Sequence, residues 1–129
     1  MAQLKINDLS VGDWVLNRQG VPTKVQVIVS EGNMRCGEDA KPEHSVHIWV
    51  SDVEPIPITP EILEKNGFSH NGNKWYTPEL FTLERWSKGW SIVIACSCGD
   101  YVCEVCTIKY VHQLQHALRL AGVEKEIEL

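Results

Sequence analysis

Three prolines within six residues, Pro55, Pro57 and Pro60, divide this chain. Proline fixes φ and has no N–H to give to a ladder, so Glu54-Pro55-Ile56-Pro57-Ile58-Thr59-Pro60 is not a central strand. It reads as a stiff extended linker between two lobes, residues 1–57 and 58–129. The whole chain has 129 residues, the size of an ordinary single domain, so each lobe is small. Hydrophobic residues make up 43% and charged residues 22%, which excludes collagen-like, coiled-coil and disordered classes.

Before the linker, strand period recurs. Val11–Leu16 alternates, and Thr23–Ser30 sets Val25, Val27 and Val29 opposite Lys24, Gln26 and Ile28. Met34–Cys36 is short, and Ser45–Asp52 sets Val46, Ile48 and Val50 opposite His47 and Trp49. Gly20-Val21-Pro22 and Gly32-Asn33 punctuate these runs as turns. Short strands with tight turns over some 55 residues predict an SH3-like small β-barrel or curled sheet.

After the linker, Thr59-Pro60-Glu61 starts a short helix, Pro60–Asn66, which Gly67 closes. Asn71-Gly72-Asn73 is a hairpin signal, followed by strands over Lys74–Thr77, Leu80–Trp86, Trp90–Cys96 and Tyr101–Ile108. A last helix spans Lys109–Ala121, with Val111, Leu114, Leu118 and Ala121 as its apolar stripe. No βαβ pattern occurs, so the expected class is α+β: a β-rich lobe, then an antiparallel β-meander with one short and one C-terminal helix.

The net charge is −5, from 12 Lys and Arg against 17 Asp and Glu, with no basic stripe in either lobe. A nucleic-acid polymer is therefore not the expected partner, because such binding needs cations to displace phosphate counterions. No apolar run approaches membrane-span length and no secretory signal opens the chain, so a cytoplasmic protein without membrane contact is expected.

Two stretches resemble known sequence. Pro55-Ile56-Pro57-Ile58-Thr59-Pro60-Glu61-Ile62-Leu63, then Asn66-Gly67-Phe68, is similar to "PIPLTEEWL…FGF" of a family of small proteins. Val111-His112-Gln113-Leu114-Gln115, then Ala117-Leu118 and Gly122, resembles that family's terminal "VHQLQ…AL.G.E". Gly12-Asp13-Trp14-Val15 fits its opening. The family occurs in Bacteroidetes genomes and their phages. The resemblance implies a shared fold and a phage or mobile-element setting, and it imports no activity.

Four cysteines, Cys96, Cys98, Cys103 and Cys106, lie within eleven residues. Four thiolates could hold tetrahedral zinc, and the C-x4-C-x2-C spacing matches part of an iron–sulfur pattern, yet only one C-x2-C knuckle is present. In a regular strand Cys103 and Cys106 fall on opposite faces, so plain packing is the expectation and no cofactor is assigned. His112 and His116 stand four apart on the last helix, a spacing that suits two metal ligands. The metalloprotease Glu is missing, and the pair reads as a polar helix edge.

Trp75, Tyr76, Trp86 and Trp90 cluster in the second lobe, with Arg85 and Lys88 among them. Indoles stack on bases and a neighbouring cation holds a phosphate, so these six are the candidate ligand-binding residues. The same residues suit a core or an interface between copies, which would make the chain a homo-oligomer. With no catalytic set in the sequence, the reading is a non-enzymatic binding protein; the phage or mobile-element setting that the resemblance implies, with the Trp/Arg/Lys hairpin, makes the expected job of such an accessory protein to sequester a nucleotide-derived immune signal in counter-defence. The alternatives are an adaptor that blocks or recruits a host protein and a Cys-rich metal-binding protein.

Overall fold

A computed structural model describes residues 4–5, 8–30, 32–37, 45–78, 81–95 and 102–129, with backbone alone at 30, 94–95 and 102–106. The chain divides into two compact units, Met1–Pro57 and Ile58–Leu129. Their described residues are mostly antiparallel sheet with two helices, an α+β fold.

The first unit is a meander of β1 (Trp14–Leu16), β2 (Pro22–Ser30), β3 (Asn33–Gly37) and β4 (Val46–Trp49), paired in that order. Asn17 turns the chain from β1 into β2. Its Oδ1 accepts from the N–H groups of Gln19 and Val21, both at 2.9 Å, the local bonding that makes Asn a turn residue. β2 pairs with β1 through Pro22–Lys24 and with β3 through Lys24–Ser30. Its register shifts between Val25 and Val27 and again between Ile28 and Ser30. An extra residue in a strand turns the following side chains to the other face. Val25 is therefore buried while Val27 and Val29 are exposed, and the single valine face that simple alternation predicts is broken.

Leu4, Leu9, Val15, Val25, Met34, Cys36 and Val53 form the core of this unit. After β4 comes a single 3₁₀ turn, Val50–Asp52. Glu54 then pairs antiparallel with Leu16, N–H to C=O in both directions at 2.8 and 3.0 Å. Among the described residues β4 does not pair back onto another strand, so the sheet is open and a closed barrel is not formed.

The second unit begins with α1 (Pro60–Lys65). Thr59 caps it, its Oγ1 accepting from Ile62 N–H at 3.3 Å. Gly67, at φ 83°, ends it: Gly67 N–H donates to Glu64 C=O and Phe68 N–H to Leu63 C=O. That pair of bonds is the Schellman closure, sealed by the buried side chains of Leu63 and Phe68.

A five-stranded meander follows: β5 (Ser69–Asn71), β6 (Lys74–Tyr76), β7 (Thr82–Trp86), β8 (Gly89–Ala95) and β9 (Val102–Ile108). The short β5, polar throughout, has no apolar alternation and was not legible as a strand. Leu83 and Ile92 stand opposite one another, and Trp75 opposite Leu83, so all three share the core face. α2 (Val111–Leu120) buries Val111, Leu114 and Leu118. Gln113 Oε1 accepts from Lys109 and Tyr110 N–H at its start. The end repeats the closure of α1, with Gly122 N–H donating to Arg119 C=O and Val123 N–H to Leu118 C=O.

Asn66 then fixes the chain terminus. Its Nδ2 donates to Glu128 C=O and its Oδ1 accepts from Glu128 N–H, both at 2.7 Å, beside the buried Ile127. No helix among the described residues is long and apolar enough to cross a membrane.

Candidate functional site

The six residues expected to form a platform are split by the sheet. Trp75 and Trp90 are 5% and 4% exposed and meet edge to face at 6.2 Å between centroids. His70 stacks on the other side of Trp75 at 4.4 Å. These two indoles are core, each contributing apolar burial of roughly 3 kcal/mol. Arg85 stands opposite Trp90 in the ladder and lays its guanidinium 5.5 Å from that ring, so this cation covers the core.

Tyr76 is exposed on the neighbouring register position, and Trp86 stands opposite Gly89 at the end of the β7–β8 hairpin, 52% exposed beside the exposed Lys88. Adjacent strand positions face opposite ways, so Trp86 lies on the other face from Arg85 and Trp90. Trp86 and Lys88 alone remain together at the hairpin tip.

Of the cysteines, Cys96 and Cys98 lie outside the described residues. β9 pairs Cys106 with Ile92 and Cys103 with Ile94, two positions apart on β8, because its register shifts by one between the Ile92 and Val93 pairs. Cys36 is buried in the first core, and burial pushes its thiol up to about 11 from 9.0. At neutral pH it is a protonated, apolar side chain of that core. Among the described residues no three His, Cys, Asp or Glu side chains converge on a point.

A different place gathers exposed aromatic and polar groups. Asn17, Arg18 and Gln19 of the β1–β2 turn, Val46 to Trp49 of β4, and Asp52 of the 3₁₀ turn line a depression of about 290 Å³. Trp49 is 50% exposed, and the His47 ring meets it edge to face at 5.5 Å. Its backbone is fixed by β3, where Asn33 stands opposite Trp49 and Arg35 opposite His47. Arg35 itself is pinned by Ser45, Nε to Oγ at 3.0 Å and Nη2 to the carbonyl at 2.9 Å. Gly32 C=O accepts from Val50 N–H at 2.8 Å and anchors the far end of β4.

Residues of both β4 faces line the depression, so it runs along the open edge of the sheet. The sequence carried one signal for it: the alternation of Ser45–Asp52 already sets the large apolar Trp49 on the face opposite Val46 and Ile48. What alternation does not encode is the approach of the β1–β2 turn.

Compared with known proteins, the chain matches no protein-family model, no curated protein and no solved structure.

Proposed function

We propose that the chain is a non-catalytic interaction module that engages a protein partner at the depression along β4. The observation that carries this reading is the pairing of a half-exposed indole with a small recess. An exposed Trp held on a rigid strand is the residue type that anchors protein interfaces, since a ring loses little conformational freedom on burial. At about 290 Å³ the recess lies at the lower limit of small-molecule pockets and suits one or two inserted side chains. Arg18, Asp52, Asn17 and His47 supply a polar rim of both charges around it.

The topology of the first unit supports an SH3-like reading of its fold. Four meandering strands, a 3₁₀ turn and an extended residue returning to β1 occur in that order, and β2 serves both neighbours across its bulges. The depression is lined from the β1–β2 turn and from β4, at opposite ends of the sheet order, which a strongly curled sheet brings about.

A second reading is capture of a nucleotide-derived signal, favoured by Trp86 and Lys88 exposed together at the hairpin tip. Affinity capture from a host lysate, with wild-type, Trp49→Ala and Trp86→Ala chains compared, separates the two. A specific protein retained by wild type and Trp86→Ala but lost with Trp49→Ala supports the module. A nucleotide carried through purification and lost with Trp86→Ala overturns it in favour of the second reading.

A further inference from the structure

Among the described residues β4 is paired on one side alone, with β3. In an antiparallel ladder, opposed residues alternate between pairs that exchange main-chain bonds and pairs that do not. Val50 N–H donates to Gly32 C=O at 2.8 Å, so that pair is of the bonded kind. Counting back along the register, Ile48 with Met34 and Val46 with Cys36 are bonded pairs, and Trp49 with Asn33 and His47 with Arg35 are not. The N–H and C=O groups of His47 and Trp49 therefore point away from β3, toward the open edge, where no other described main-chain group meets them. The side chains there are equally uncovered. Val46 shares a face with the buried Met34 and Cys36, yet it is 59% exposed, and Ile48 beside it is only partly buried.

Resting on the module reading above, we propose that the β4 edge takes up an extended segment of the partner protein as an added strand. An unpaired edge is a template for another chain: main-chain bonds supply affinity, and alternate side chains supply specificity. The added segment bonds to the outward groups of His47 and Trp49. Its residues opposite Ile48 and Val46 fall on the core face and are apolar, because they complete the cover over those two side chains. Its residues opposite His47 and Trp49 lie on the other face, beside the two exposed rings.

Charge narrows the segment further. Arg18 and Asp52 line the same depression, and neither makes an ion pair with another described residue. A segment with an acidic residue for Arg18 and a basic one for Asp52 complements both, so the partner strand alternates apolar with charged residues of both signs. A peptide segment fits this edge better than a second copy does. The strand is four residues long and the recess about 290 Å³, whereas a stable interface between copies buries roughly 1,200 Å² or more.

Selection of a displayed library of random linear peptides on the full-length chain supplies the probe. The selected peptides should alternate apolar and charged residues and, made synthetically, should bind Trp49→Ala at least about tenfold more weakly than wild type. N-methylation of alternate peptide amides then reads the backbone: the set that donates to β4 should cost at least about tenfold, and the other set little. His47→Pro removes an outward N–H, which an edge strand tolerates, and should weaken binding with circular dichroism unchanged. Binding that needs Trp49 but ignores both methylated sets overturns strand addition and leaves the module reading standing. Peptides that bind Trp49→Ala as well as wild type overturn both. If no peptide is enriched, strand addition is wrong, and the lysate capture decides the module reading separately. A wild-type dimer that His47→Pro renders monomeric in sedimentation gives the edge to a second copy and also overturns the proposal.

Discussion

Trp75 and Trp90 fill a core, whereas Trp49 and Trp86 leave about half of their surface in water. Truncation should therefore separate the four. Trp75→Ala or Trp90→Ala should cost about 3–5 kcal/mol of stability, read from urea unfolding midpoints, because each removes a ring from a packed site. Trp49→Ala should change stability by less than about 1 kcal/mol and act on binding alone. Equal costs at buried and exposed positions would contradict the assignment. Cys36 gives a pH signature. Its folded thiol titrates near 11 and its unfolded thiol near 9.0, so above pH 9 the unfolded chain loses a proton that the folded chain keeps. Stability should fall with rising pH in that window, by at most about 1.4 kcal/mol per pH unit. Cys36→Ala should flatten that part of the profile relative to wild type.

At the scale of elements, turns and closures decide what alternation leaves open. A Cβ on Gly89 would meet Ile108 O at 2.8 Å, and the residue sits at φ 142°. Gly89→Ala should therefore destabilise the β7–β8–β9 ladder by about 1–3 kcal/mol. Gly72→Ala, at φ 64° with open space around it, carries only the left-handed penalty of about 1–2 kcal/mol and should be the milder of the two in thermal denaturation. Asn66 is the link between α1 and the chain terminus. Asn66→Ala removes both amide bonds to Glu128, and hydrogen exchange should quicken at 123–129 while α2 stays protected. Unchanged protection there would mean that Ile127 burial alone holds the segment.

Across the whole molecule, two compact units are joined at Pro57–Ile58. The elements were legible wherever apolar residues keep a period or a capping residue is present. Thr59-Pro60 and Gly67 mark the two ends of α1 by residue type alone, and the stripe of Val111, Leu114 and Leu118 marks α2. What alternation misjudged are the places where register shifts. The bulges in β2 expose Val27 and Val29. A bulge depends on the partner strand, so it leaves no mark in the local pattern. The candidate site was less legible than the fold for the same reason. It unites a turn at residues 17–19 with a strand at 46–49, contacts distant in sequence, whereas the aromatics at 75–90 are close in sequence and divide between core and surface in the fold.

Binding along β4 is the central claim, and amide hydrogen exchange in the complex with the captured partner tests it most directly. Exchange is expected to slow at 17–19 and 46–49 on binding and to stay unchanged at 85–90. Slowing confined to 85–90, with β4 and the β1–β2 turn unaffected, would contradict it.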